Sequence, residues 1–211
     1  MYIPPLHKED RTEILQDAIR AAGLATLVTL TSDGLIASHV PMLLDSDPAP
    51  YGTLLGHVAR PNKQARGAIA GTEALAIFQG PDAYITPSWY ETKRETGRVV
   101  PTWNYTMVQA KGRAKMMDDV WLARQIEELT RALEERREKP WAVGDAPADF
   151  IAMQRRAIVG VEIEILDIRG KWKTSQNRNA ADRAGVVAGL EAMGDDDSHA
   201  MAEIVRETSR D

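Results

Sequence analysis

Residues 158–168 read Ile158-Val-Gly-Val-Glu-Ile-Glu-Ile-Leu-Asp-Ile168. Val159, Val161, Ile163 and Ile165 alternate with Glu162 and Glu164, so this is a strand with one core face and one wet face. Upstream, 147–156 reads as a helix. A longer helix runs from a cap at Asp118 or Asp119 to Lys139, with Leu122, Ile126, Leu129 and Leu133 as its inner stripe, and Pro140 ends it. Residues 112–117 continue a sheet. Two β-like stretches, 84–90 and 99–110, flank a charged loop at 91–98. Residues 74–79 form a strand that the turn signal Gly80-Pro81 ends.

Further back, 62–70 reads as a short helix and 52–59 as a strand. Residues 24–31 and 35–40 form a hairpin across Ser32-Asp33-Gly34. A first helix spans 10–23, with Asp10 and Glu13 at capping-box spacing. Downstream, 180–193 reads as a helix weakened by Gly185 and Gly189, followed by a polar break at 194–198 and a frayed last helix. Many short strands with inserted helices make an α+β chain with an antiparallel barrel, not a doubly wound sheet. The expected organisation is one domain over 1–193 and a polar C-terminal tail, 194–211, holding a short helix.

The 211 residues suit one medium domain, and an apolar content of 44 % argues against disorder. The absence of cysteine excludes disulfides, thiol nucleophiles and Cys-ligated zinc. No signal peptide or membrane-length apolar run is read, so a cytoplasmic location is expected. A net charge of −5 and a pI near 5.5 argue against a broad electrostatic hold on DNA. The four histidines are scattered, so no metal site is expected. No Gly-x-Ser-x-Gly elbow, Gly-x-Gly-x-x-Gly or P-loop is present.

Five stretches carry residue types that a plain strand or turn does not need. Ser38-His39-Val40-Pro41 places His39 on a face with Leu35 and Ala37, which a core histidine would also explain. Gly56-His57-Val58-Ala59-Arg60-Pro61-Asn62-Lys63 leaves a strand and opens a helix, a place suited to a phosphate or simply to a capped turn. Phe78–Pro81 with Tyr84–Tyr90 sets aromatics beside Thr86 and Ser88, as a pocket wall or as core. Val99-Val-Pro-Thr-Trp-Asn-Tyr105 turns Thr102 and Asn104 one way and Trp103 and Tyr105 the other. That polar and aromatic pair of faces suits a planar, heteroatom-rich ligand, and it also suits an interface. Gly170-Lys171-Trp172-Lys173-Thr-Ser-Gln176-Asn177-Arg178 sets an aromatic among cations and amides, fit for an anion or for a solvated turn.

The ordered set Met1–Pro5, Leu24–Val28, Gly56–Arg60, Ile77–Pro81, Tyr84–Tyr90, Val100–Tyr105 and Lys171–Arg178 resembles the PaiB-type FMN-binding negative transcriptional regulators, over residues 1 to about 190. The resemblance implies a split β-barrel like that of pyridoxamine-phosphate oxidases, with peripheral helices and FMN held at a homodimer interface. It implies that His57, Arg60, Asn62 and Lys63 take the phosphate and ribityl end. The ring would lie near Thr102, Trp103, Asn104 and Tyr105, with Lys173 and Gln176 reaching the ring or the phosphate. Arg60-Pro-Asn-Lys stands where the family more often has Arg-Ala-Asn-Pro, and Gln109 stands where a histidine is frequent. Operator DNA is the partner that the regulator role implies. The alternative is an FMN-dependent oxidoreductase on a small substrate, and less readily a haem protein using His39, His57 or His199.

Overall fold

The computed structural model describes residues 1–32, 34–67 and 72–208. Seven strands carry the fold: β1 (Lys8–Glu9), β2 (Leu24–Thr31), β3 (Gly34–Asp45), β4 (Thr53–Ala59), β5 (Thr72–Ile85), β6 (Thr102–Met117) and β7 (Ile158–Lys173). They pair in the order β1-β7-β4-β3-β2-β5-β6, and a further β7–β6 pairing brings the ladder back on itself. The registers of β2–β3, β2–β5, β3–β4, β4–β7 and β1–β7 are all antiparallel. This is the expected antiparallel barrel, and its closure hides the sheet edges that an open sheet would expose. The helices are α1 (Thr12–Ala22), α2 (Lys63–Gly67), α3 (Glu91–Thr96), α4 (Asp119–Glu134), α5 (Ala148–Arg156), α6 (Ala180–Met193) and α7 (Asp196–Glu207).

Several elements differ from the sequence expectation, each for a local reason. Strand β5 runs through Gly80-Pro81 rather than ending there. A Cβ on Gly80 would lie 2.2 Å from the Thr106 hydroxyl oxygen, so this glycine admits a neighbouring strand rather than making a turn. The strand stops at Ile85, where Thr86 caps a 3₁₀ turn over Pro87–Trp89. The charged loop at 91–98 contains α3, closed by Gly97 at φ 67°. Helix α1 begins at Thr12, and Asp10 pairs with Lys8 at 2.5 Å. Helix α4 starts from the Asp118 cap and ends at Glu134, and Leu133 in its last turn is exposed rather than part of the inner stripe. The face of β3 bearing Leu35, Ala37 and His39 points outward, and Leu35 is 76 % exposed. Asp33 of the expected turn, and residues 68–71 of the expected second helix, lie outside the described residues.

The chain divides into two compact units. One comprises Met1–Leu15, Gln79–Val108 and Arg169–Asp211; the other comprises Gln16–Phe78 and Gln109–Ile168. In the first unit, α6 and α7 enclose an apolar cluster of Ile85, Tyr90, Val186, Leu190, Met201, Ala202 and Val205. Gly185 and Gly189, which weaken the helix reading, form a seat for Trp89. A Cβ on Gly185 would come within 1.9 Å of the Trp89 carbonyl oxygen, and one on Gly189 within 2.2 Å of the indole. In the second unit, Val161, Ile163 and Ile165 of β7 are buried while Glu164 is exposed, the alternation read from the sequence. Gln64 of α2 is also buried, donating to the carbonyl oxygen of Leu27 and the hydroxyl of Thr29. That keeps one polar end of an interior side chain satisfied.

Candidate functional site

Strand β6 opens with Thr102-Trp103-Asn104-Tyr105, directly after Pro101, which has no N–H to give a ladder. The period of two turns Asn104 inward to full burial and leaves Trp103 53 % exposed. Trp103 meets Tyr84 edge to face, with ring centroids 6.0 Å apart. Lys173, the last residue of β7, reaches the same strand. Its ammonium donates to the Thr102 hydroxyl and, at 2.5 Å, to the main-chain oxygen of Trp103. Lys171, two residues earlier, stands 5.2 Å from the Tyr105 ring centroid.

Beyond β7 the chain turns sharply. Ser175 is buried at φ 63°, a left-handed conformation that a residue with a Cβ keeps only when its surroundings hold it. Asn104 supplies that hold, donating from Nδ2 to Ser175 Oγ at 2.9 Å. Gln176 braces the turn from the other side. Its Oε1 accepts from the Thr174 N–H at 2.8 Å and lies 3.0 Å from His7 Nδ1, while its Nε2 donates to the Trp172 carbonyl at 2.6 Å.

These groups border a cavity of about 190 Å³ in the first unit. Thr102, Asn104 and Lys173 line it together with His7, Tyr90, Ser175, Asn177 and Arg178, and among the described residues no carboxylate does. Burial, with Lys171 and Arg178 nearby, holds the Lys173 ammonium below its usual pKa. Burial also lowers His7, and the two lysines add to that effect. The Arg178 guanidinium lies 4.2 Å from the Tyr90 ring centroid. The Tyr90 hydroxyl is buried and its hydrogen finds no acceptor among the described residues; burial pushes its pKa up, against the opposing pull of the Arg178 guanidinium beside it. Leaving such a donor without an acceptor costs about 1–3 kcal/mol.

The other expected residues belong to the second unit, where each is engaged. His57 Nδ1 lies 3.0 Å from Gln125 Oε1. Arg60 donates from Nε to the Arg156 carbonyl and from Nη2 to the Ile158 carbonyl, each at 2.9 Å. Asn62 donates to Ser38 Oγ at 3.0 Å and accepts from the Gln64 N–H at 2.9 Å. Lys63 opens α2, which is described over five residues. The structure therefore gathers Thr102, Asn104 and Lys173 around one cavity, with the Trp103 carbonyl and Gln176 as supports.

Tyr90, Ser175, Asn177 and Arg178 fall inside stretches already marked in the sequence but outside the expected site. His7 carries no signal there beyond the opening motif. Among the described residues there is no group of three acidic or histidine side chains that could hold a metal. None of their helices is long and apolar enough to cross a membrane.

Comparison with known proteins bears on this geometry. Residues 1–167 match a family described as "Putative FMN-binding domain". A protein of Emericella nidulans, AN0679, is 36 % identical, over 98 % of this chain and 97 % of its own. Protease synthase and sporulation protein PAI 2 of Bacillus subtilis is 31 % identical, again over 98 % of this chain and 97 % of its own. Among solved structures, an FAD- and haem-binding protein of Mycobacterium smegmatis superposes with a TM-score of 0.60 at 15 % identity, covering 87 % of this chain and 80 % of its own. The flavocytochrome Anf3 of Azotobacter vinelandii gives 0.58 at 14 %, covering 85 % of this chain and 75 % of its own. At such identities the structures speak for the fold, while the sequence matches reach the family. With the family match over residues 1–167 and a PAI 2 alignment running nearly end to end, the chain belongs to the PaiB-type family of FMN-binding split-barrel proteins.

Proposed function

We propose that this protein is an FMN-binding regulator of the PaiB type, working in the cytoplasm as a homodimer with the flavin at the dimer interface. The observation that carries the reading is the convergence of Lys173, Thr102 and Asn104 on a cavity that the described residues line with cations and amides and without a carboxylate. FMN brings a phosphate, a polyhydroxylated chain and a ring rich in carbonyl acceptors, and this donor set suits those acceptors. The residues present therefore fit the cofactor. Thr102, Asn104 and Lys173 would face the polar edge of the ring, Gln176 would brace Lys173's turn, and Trp103 and Tyr105 would supply the aromatic side. His57, Arg60, Asn62 and Lys63 would take the phosphate and ribityl end. When bound, the flavin supplies redox chemistry; the protein positions it and sets the charge around it.

At about 190 Å³ the cavity is smaller than the roughly 300 Å³ at which small-molecule pockets begin. One chain thus receives one end of the cofactor, which favours a second copy completing the site. The exposed Trp103–Tyr84 pair, and Leu30 and Leu35 at 62 % and 76 % exposure, offer apolar surface for such a partner. Sedimentation of the FMN-loaded protein tests this: a dimer supports the reading, and a monomer at micromolar concentration removes it.

The regulator role predicts binding to operator DNA despite the net charge of −5. A salt-titrated binding assay decides, and no binding at low ionic strength eliminates direct repression. A second reading, an FMN-dependent oxidoreductase, draws support from the cations Lys173 and Arg178 at the cavity, which would favour a reduced, anionic flavin. It requires that nicotinamide donors reduce the bound flavin.

A further inference from the structure

We infer that the cavity between Tyr90, Lys173 and Arg178 is a phosphate site. The inference stands on the cavity itself, and a phosphate here replaces the placement of the flavin ring edge against Lys173 while leaving the FMN-binding reading itself in place.

Tyr90 supplies the first argument. Its side chain is 1 % exposed, and its ring is fixed in the apolar cluster formed with Val186, Leu190 and Met201. Among the described residues its hydroxyl hydrogen has no acceptor, and the group acting on its oxygen as a donor is the Arg178 guanidinium on the same cavity lining. A buried donor left open beside a cavity is completed by an acceptor carried in from outside. The nearest carboxylate influencing it, Asp182, is already engaged, accepting from the Thr92 N–H and hydroxyl at 2.9 Å each.

Charge supplies the second. Lys173 and Arg178 both line the cavity, Lys171 is close enough to act on Lys173, and the described residues of the lining offer no acidic group to balance them. A phosphate monoester carries about −1.5 to −2 near neutral pH, which matches an ammonium and a guanidinium together. A carboxylate would balance only one of them. The guanidinium fork also suits two phosphate oxygens at once. Asn177 and His7 stand on the same lining with further polar atoms for a third.

Size supplies the third. A volume of about 190 Å³ exceeds by several-fold the roughly 30 Å³ that one water occupies, and it falls short of a whole nucleotide-sized pocket. It suits a phosphate group with the first atoms of whatever bears it.

The test is a titration of the flavin-free, full-length protein with inorganic phosphate, with acetate at matched ionic strength as control. It is run on the wild type, Tyr90→Phe and Arg178→Gln. Phosphate should bind the wild type in preference to acetate. Each variant should bind it about tenfold more weakly, the loss expected for one hydrogen bond to a charged group. Tyr90→Phe should melt no lower than the wild type, because it removes a hydroxyl whose hydrogen has no acceptor.

Repeating the titration with FMN or riboflavin bound separates the sources. Loss of the phosphate isotherm with FMN but not with riboflavin assigns the site to the flavin's own phosphate in place of residues 57–63, and loss with both returns the cavity to the flavin ring and overturns the inference. Persistence with both assigns it to a separate phosphomonoester. Absence of phosphate binding, equal binding of acetate, or wild-type phosphate affinity in both variants overturns the inference. Phosphate binding without any FMN binding leaves this site standing and removes the flavin reading instead.

Discussion

Lys173 donates to the main-chain oxygen of Trp103 across 2.5 Å, which ties the end of β7 to the opening of β6. A lysine held to a neighbouring strand by its own ammonium loses the freedom of an ordinary surface lysine. It presents its charge at one place, beside the inward face of Thr102 and Asn104. Replacing Lys173 with Met keeps most of the stem and removes that charge. FMN affinity is expected to fall about tenfold or more, the cost of one charge-assisted contact. The melting temperature of the flavin-free protein should change little. Fluorescence titration of free FMN checks the first expectation, and a retained affinity would take Lys173 out of the site.

The second-unit residues make a separate claim. If Lys63 meets the flavin phosphate, Lys63→Ala should weaken FMN about tenfold while leaving riboflavin affinity unchanged. Equal losses for the two ligands would show that Lys63 acts through the fold and not through the phosphate. Arg60 is less suited to this test, because its guanidinium also ties the Arg156 and Ile158 carbonyls.

Gly189 gives a prediction whose sign is informative. In an ordinary helix interior, Gly→Ala stabilises by about 1 kcal/mol. Here the added methyl would stand 2.2 Å from the Trp89 indole, and the Trp89 main chain is itself packed against Gly185. Gly189→Ala is therefore expected to destabilise by about 1–3 kcal/mol, as overpacking does. Urea unfolding reads the difference directly.

The His7 imidazole yields a pH dependence. Burial, Lys173 and Lys171 hold its folded pKa below the reference value of 6.5. Between the folded value and 6.5 the unfolded chain binds more proton than the folded one, so stability rises with pH across that window. The penalty is absent above 6.5 and grows as pH falls through it. His7→Gln should flatten the melting-temperature profile on the acid side of 6.5 relative to wild type. Parallel profiles would show that His7 does not contribute.

Much of the fold was legible because β7 declares itself: three buried residues at odd positions and exposed Glu164 between them settle a half-buried strand. What escaped depended on contacts distant in sequence. Gly80 looks like a turn residue until Thr106 is placed against it, and Gly185 and Gly189 look like helix weakness until Trp89 is seated on them. The outward direction of the Leu35 and His39 face stayed open in the sequence because an apolar alternation reports that two faces differ, not which one is buried. Of the candidate cavity, Thr102, Asn104 and Lys173 lie in stretches that their unusual residue types mark in the sequence. Tyr90 was not legible as part of it, since an aromatic in a strand-like stretch reads as core, and its ring is core. Only its hydroxyl, whose hydrogen finds no acceptor among the described residues, marks the cavity, and that is visible solely in three dimensions.

The central claim is that this chain binds FMN, and its direct measurement is a titration of the purified, flavin-free protein with FMN. Bound flavin should shift its visible absorbance and lose fluorescence, with saturation at a fixed stoichiometry per chain. The melting temperature should rise with FMN concentration, as linkage requires of a ligand that prefers the folded state. No spectral change and no rise in melting temperature at FMN concentrations up to about 1 mM, a binding energy near −4 kcal/mol, would contradict the account.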